Sequence, residues 1–465
     1  VSLEGPPHGW ASVRLEEITE VRLGRQRSPK NDTGDQMRPY LRAANLTWAG
    51  VNVEDVKQMN FTDDEVATYS LRDGDVLLNE ASGSAKEVGK PGVWRTQMQG
   101  PVCFQNHVFR IRPEEGIDSD FIYYRLLFEA LTGGFVRTSR GVGIRTLGAA
   151  KLSGLSLDVP SHEHQVRIAR ALDEHLSQLK RAGDALALLH RRALRLGDAV
   201  LSDLVSRATA LAGGVITTGE VCTISGGVQK QPKRYPTAAD PGVPFLRVAN
   251  VGRRSLDLGD VHRIVVTDAE RDRVLLEPGD LLVVEGNGSP TQIGRAALWT
   301  GALAPCTHQN HLIRVRPGEG LIPEYLELVW NAPTTITSLM RVASTTSGLY
   351  TLSTKKVSAV EIPVPPLADQ RMLVDEAHAL LELGARASAD LSRLRTPLEA
   401  MRRAVLRSAF DGQLVAGEPT DEHVEILLKQ IKEARADLPS ARRNKKRTVA
   451  TTPGARAAKT EENDS

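Results

Sequence analysis

The sequence predicts an α/β protein. It consists of two tandem-duplicated mixed α/β domains separated by two long helices that form an antiparallel coiled coil, a pseudo-two-fold arrangement. Three observations carry this. The apolar run Leu186, Leu189, Ala193, Leu196, Val200 recurs at steps of three and four, the seam of a coiled coil. It returns as Leu391, Leu394, Leu398, Met401, Val405, always 205 residues later. The segments before the two runs also repeat, in register.

Taken in order, Gly9–Val21 leads to a basic loop with Arg22, Arg25, Arg27 and Lys30. A strand-like piece follows at Tyr40–Leu46. Gly74 suits the turn before the short apolar strand Val76-Leu77-Leu78. Ser119 is placed to cap a helix through Phe121, Ile122 and Leu126. The loop Arg137–Arg145 then precedes the first long helix, roughly 70 Å from residue 162 to 208 at ~1.5 Å per residue.

After that helix the programme repeats. Tyr40-Leu41-Arg42-x-Ala44-Asn45 returns as Phe245-Leu246-Arg247-x-Ala249-Asn250. Gly74-Asp75 returns as Gly279-Asp280, Gln105-Asn106-His107 as Gln309-Asn310-His311, and Arg110-x-Arg112-Pro113 as Arg314-x-Arg316-Pro317. Gly143-x-x-Thr146-Leu147 returns as Gly348-x-x-Thr351-Leu352, and Gln165 as Gln370. The implied boundaries are the first α/β domain at 1–160, the first long helix at 161–212, the second α/β domain at 213–365 and the second long helix at 366–412. An amphipathic helix at 413–437, capped by Thr420 and carrying Val424, Leu427, Leu428 and Ile431, comes next. A polar tail at 438–465, with the basic run Arg442–Arg447, is expected to be disordered. Pro397 inside the second long helix should kink or restart it.

Composition narrows the class. No apolar run approaches the ~18 residues of a membrane span, and the N-terminus does not read as a secretory signal. Cys103, Cys222 and Cys306 are too few and scattered for a disulfide framework or zinc cluster, as expected of reduced thiols in a cytoplasmic protein. Lys plus Arg against Asp plus Glu is 19 to 21 over residues 1–160 and 15 to 14 over 213–365. Any grip on nucleic acid therefore rests on local clusters or on a partner.

Phosphate loops, zinc motifs and nucleophile elbows are absent, as is an Asn-Pro-Pro-aromatic motif. Glu80 with His107, and Glu285 with His311, recur in both halves; a structural hydrogen bond is expected of each, not a catalytic pair. The sequence reads as non-catalytic, with no metal site. The small, polar loops read as DNA-contacting heads, since Arg forks onto guanine and Asn or Gln onto adenine. Candidate contacts in the first copy are Arg25, Arg27, Lys30, Arg42, Asn45, Asn79, Ser82, Ser84, Lys86, Arg137, Arg140 and Arg145. In the second they are Lys230, Lys233, Arg247, Asn250, Asn287, Ser289, Thr291, Gln292, Arg341, Thr345, Ser347 and Tyr350. The copies keep the skeleton but change the tips. Ser82 becomes Asn287, Lys86 becomes Thr291, Arg140 lies opposite Thr345, and Arg145 becomes Tyr350.

The order domain, helix, domain, helix, with Pro160…Gln165 and Pro365-Pro366-Leu367-Ala368-Asp369-Gln370 opening the helices, resembles the DNA specificity (S) subunit of type I restriction–modification systems. The ending Ala404–Leu414 and the Leu427-Leu428-x-x-Ile431-Lys432 helix fit it too. The resemblance implies two target recognition domains reading the halves of an asymmetric, split site in double-stranded DNA. It implies helices that dock two modification (M) subunits, which carry S-adenosylmethionine and methylate adenine, and a restriction (R) subunit that can join. The competing readings are a coiled-coil DNA-binding or interaction protein outside restriction, and a self-contained DNA methyltransferase or nuclease.

Overall fold

The computed structural model describes residues 5–84, 87–141, 145–287, 289, 292–346, 349–418 and 423–437. By contact the chain divides into two units. Unit 1 joins residues up to Gly183 with those from Thr396 onward, and unit 2 is Asp184–Arg395.

Each unit is built on a four-stranded antiparallel sheet of one topology. In unit 1 the order is Thr19–Leu23, Val108–Pro113, Val76–Asn79, Pro91–Val93; in unit 2 it is Cys222–Gly226, Leu312–Pro317, Leu281–Val284, Ala296–Leu298. The short apolar run of the sequence is the strand buried on both faces. Alternate side chains point opposite ways, so Val76 and Leu78 enter one core with Phe121 and Leu126 while Leu77 enters another with Leu41, Trp94 and Phe104. Leu281 and Val283, against Leu282 and Val284, divide unit 2 likewise. A three-stranded sheet accompanies each: Cys103–Phe104, Met37–Leu41, Lys57–Asn60, and Thr307–His308, Val243–Leu246, His262–Ile264.

The repeated polar motifs hold this scaffold. Asp75 and Asp280, each about 1% exposed, accept from Arg112 Nε at 2.7 Å and Arg316 Nε at 2.6 Å. Their other oxygens accept the N–H of Arg72 and Glu277, closing turns in which Gly74 and Gly279 have φ of 83° and 98°. Gln165 and Gln370 are fully buried. Each accepts a backbone N–H, from Asp118 and Ile322, and donates to the carbonyl of Pro160 and Pro365. They staple the start of each long helix to its unit. The helix Ser119–Leu131 is capped by Asp118, not Ser119, because the Asp118 carboxylate accepts from Phe121 N–H at 2.8 Å.

The first long helix is continuous over His162–Ala212. The second runs Leu367–Arg393 and restarts at Arg395–Phe410. Pro397 explains the break: its ring collides with the carbonyl four residues back, that of Arg393. Within unit 2 the helices run antiparallel, since Arg207 pairs with Glu376 at 2.6 Å and His190 Nδ1 lies 3.4 Å from Ser388 Oγ.

Their seam differs from the expected one. Leu186, Val200, Leu391, Leu398 and Val405 are buried or half-buried. Leu189, Leu196, Leu394 and Met401 are exposed, at 47%, 37%, 49% and 54%. Glycines stand at the contact instead. A Cβ on Gly197 would lie 3.5 Å from Leu381, one on Gly384 3.4 Å from Leu196, and, in unit 1, one on Gly183 3.1 Å from Leu398. A heptad reading weights large apolar residues, whereas closely approaching helices need small ones.

The C-terminal helix Val424–Ala436 belongs to unit 1. It buries Val424, Leu427 and Ile431, and Arg435 binds Glu114 Oε1 and the carbonyl of Thr19. Its N-cap is His423; Thr420 and the 438–465 tail lie outside the described residues. No described helix is long and apolar enough to cross a membrane. Cys103, Cys222 and Cys306 are free thiols, and burial pushes all three up to about 12.

Candidate nucleic-acid interface

The loops flanking the central strand meet in a small ladder in each unit. Ala81–Ser82 pairs with Arg145–Thr146, placing Arg145 opposite Ser82. Gly286–Asn287 pairs with Leu349–Thr351, placing Tyr350 opposite Asn287. Two of the positions at which the copies differ are therefore direct neighbours on equivalent backbones. Glu80 anchors the first ladder. Its N–H donates to the His107 carbonyl at 2.9 Å, its carbonyl accepts from Leu147, and its carboxylate meets His107 Nδ1 at 3.0 Å. Glu285, His311 and Leu352 repeat this arrangement, with the carboxylate 2.9 Å from Nδ1. The expected structural bond between each acid and its histidine is present.

Several candidate contacts are structural. Asn45 and Asn250 are 3% exposed. Asn45 Nδ2 donates to the carbonyls of Asn52 and Asp55, and Asn250 Nδ2 to those of Asp257 and Asp260. Their Oδ1 atoms accept the N–H of Arg42 and Arg247, whose guanidiniums pair with Asp55 and Asp260. An amide whose donors and acceptor are already engaged inside the protein has no edge left for a base. Asn79 is buried and donates to the Glu87 carbonyl at 3.0 Å. Arg25 pairs with Glu65 at 2.7 Å and lies 4.9 Å over the Phe61 ring. These residues leave the contact surface.

Others are presented outward. Ser84, Arg137, Arg140, Lys230, Lys233, Gln292 and Arg341 are exposed. Arg27 is exposed and paired with Asp32 at 3.1 Å, and Lys30 sits on the neighbouring turn Pro29–Asn31. Ser82 and Tyr350 are half-buried, as is Ser289. Arg137 donates to the Thr132 carbonyl at 2.9 Å. Arg145 is half-buried and donates to the Val136 carbonyl at 3.3 Å, tying the two ends of its loop. Lys86, Thr291 and Ser347 lie outside the described residues; Asn287 and Thr345 are described as backbone only.

Sequence reasoning passed over Arg253. With Gln292 and Arg295 it lines a cavity of about 540 Å³ in unit 2. Arg295 donates to the carbonyls of Val251 and Val248. The available signal was the Arg253-Arg254 pair, which stands where the first copy has Trp48-Ala49.

A duplicated scaffold with interchangeable polar tips, each copy joined to a long helix, defines a two-headed recognition protein. A family profile described as the type I restriction modification DNA specificity domain matches residues 7–184. The chain is 23% identical over 427 residues to the type I restriction enzyme EcoKI specificity subunit of Escherichia coli (strain K12), covering 88% of this chain and 90% of that protein. It is 23% identical over 423 residues to the StySPI specificity subunit of Salmonella potsdam, with the same coverage of 88% and 90%. Among solved structures, a chain from a study of complex assembly and conformational transition in the type I R-M system covers 88% of this chain and 100% of its own length, with a TM-score of 0.67 at 18% identity. The HsdS subunit from Thermoanaerobacter tengcongensis aligns over 88% of this chain and 98% of its own, with a TM-score of 0.53 at 17% identity. Residues 7–184 thus match that specificity-domain profile, and over most of its length the chain is similar to specificity subunits of type I restriction–modification systems.

Proposed function

We infer that this chain is the sequence-recognition subunit of a type I restriction–modification complex, in which each unit reads one half of a split, asymmetric DNA site. The observation that carries the reading is the matched ladder, in which Ser82 faces Arg145 in one unit and Asn287 faces Tyr350 in the other. One backbone offering different side chains is what two different half-sites require. The exposed tips Ser84, Arg137, Arg140, Lys230, Lys233, Gln292 and Arg341, together with Arg145 and Tyr350 on the ladders, are the working DNA contacts, with Arg27 and Lys30 as additional cations.

The chain itself performs no chemistry. Two methyltransferase subunits dock along the long helices, where Leu188, Leu189, Leu380 and Leu383 are exposed. Those subunits bind S-adenosylmethionine and methylate adenine, and restriction subunits join them for cleavage. The complex works in the cytoplasm, with double-stranded DNA as its substrate.

The test incubates the chain, its methyltransferase subunits, and both together with a randomised duplex library and labelled S-adenosylmethionine. Only the assembled complex should transfer methyl groups, and only to duplexes sharing a two-part site. Transfer by this chain alone, or transfer without site preference, overturns the reading.

A further inference from the structure

We propose that His107 and His311 are matched DNA-phosphate contacts, one in each half-site, that grip without regard to sequence. The inference rests on the recognition function above and adds a pair of residues to it.

Each imidazole is held in one orientation. A carboxylate only accepts hydrogen bonds, so the proton between ring and acid sits on Nδ1, at 3.0 Å from Glu80 and 2.9 Å from Glu285. The acid is itself fixed by two backbone hydrogen bonds, one of them to the carbonyl of the same histidine. Nε2 is turned away from the acid and bonds to nothing among the described residues. The side chains are 50% and 58% exposed. A histidine serving only as internal packing would not be half in solvent with one nitrogen unused.

Position supplies the second argument. Glu80 immediately precedes the strand that carries Ser82, and its carbonyl accepts from the residue that follows Thr146. Glu285 stands in the same relation to Asn287 and Thr351. Each dyad thus sits at the root of a recognition ladder. In unit 2 it opens onto a cavity of about 530 Å³ lined also by Ser353 and Lys356. Lys151 is the matching lysine of unit 1.

Identity across the copies supplies the third. The tips change from Ser82 to Asn287 and from Arg145 to Tyr350, but acid, histidine and lysine do not. A half-exposed group held constant where the reading residues vary suits a ligand that is the same in both half-sites. In duplex DNA that ligand is the phosphodiester. A phosphate oxygen only accepts, so this contact needs a hydrogen on Nε2 as well as on Nδ1, and the ring then bridges carboxylate and phosphate. The charged groups that line the unit 2 cavity beside His311 are Glu285 and Lys356.

The experiment uses the chain assembled with its methyltransferase subunits and a duplex carrying the site that the wild-type complex selects from a random library. His107→Phe and His311→Phe should each weaken binding about 3–10-fold, equally for selected and scrambled duplexes, and lower the slope of log K against log salt by about one. The double variant should lower it by about two. An unchanged slope, or a loss confined to sequences differing in one half-site, overturns the proposal. A scan with neutral methylphosphonates locates the contact: in each half-site wild-type binding should show a position whose neutralisation lowers the slope, and the matching Phe variant should lose nothing more at that position. A scan with no such position also overturns it. A wild-type complex that selects no sequence would instead sink the recognition function on which the proposal rests.

Discussion

Arg145 is the direct cross-strand partner of Ser82, and its guanidinium reaches back 3.3 Å to the carbonyl of Val136. It both faces the variable position and closes its own loop. Tyr350 faces Asn287 in the other unit. An aromatic and a forked donor cannot make the same base contact, so the two positions should govern different half-sites.

Arg145→Ala should relax preference in one half-site by ~1–3 kcal/mol, the worth of one bidentate contact, and leave the other unchanged. Tyr350→Ala should affect only the other. Methylation by the assembled complex across a library randomised in both halves reads this directly. A uniform loss over all sequences would make Arg145 a loop tie or a phosphate clamp.

Asn45→Ala and Asn250→Ala should behave as scaffold variants. Each leaves one backbone carbonyl, that of Asn52 or Asp257, without its donor and the N–H of Arg42 or Arg247 without its acceptor, at a cost of ~1–3 kcal/mol. Urea denaturation should show the loss, while base preference measured on surviving complexes stays the same. Altered preference at a single base pair would return them to the reading surface.

The spacer separates structural from partner contacts. Gly384→Asp puts a carboxylate against Leu196 and the Ala193 carbonyl, and an unpaired buried charge costs several kcal/mol or is neutralised. Leu189→Asp alters a side chain already 47% exposed and should change the chain's own stability by less than ~1 kcal/mol. If Leu189→Asp folds normally yet fails to retain methyltransferase subunits in a pull-down, that leucine is a partner contact. If it unfolds the chain, the glycine seam is misassigned.

His308 makes unit 2 sensitive to acid. It is wholly buried, and among the described residues neither ring nitrogen has a hydrogen-bond partner; the nearby Val274 carbonyl accepts from Thr307 Oγ1 at 2.8 Å. Burial, with Arg314 beside it, pushes its titration down to about 3. An unfolded histidine titrates near ~6.5. Above that value both states are neutral and the residue contributes nothing to the pH dependence. Between there and about 3 only the unfolded chain takes the proton, so stability falls with falling pH by up to ~1.4 kcal/mol per unit. Unit 1 has Phe104 at this place, paired with Leu41 as His308 is with Leu246. His308→Phe should therefore gain urea resistance over wild type as pH drops from 7 to 5. A constant difference at both pH values would show that the ring escapes its burial before protonation limits it.

The duplication, the central strands and the two long helices were legible because they are written in local patterns. Alternation, three- and four-residue steps and a constant 205-residue offset need no knowledge of what lies across the fold. Arg42-x-x-Asn45 and its copy were equally visible as a repeat, but not their use. Whether a polar side chain faces a base or a backbone carbonyl depends on residues such as Asp55 and Asp260, which only chain reversal brings near. The seam matches the heptad spacing only in part, for a related reason. Heptad spacing marks which residues could face a neighbouring helix, whereas the separation of the axes decides whether leucine or glycine fits. At Gly197 and Gly384 a Cβ would already touch Leu381 and Leu196, so small side chains fit there, while Leu189 and Leu394 stand in solvent.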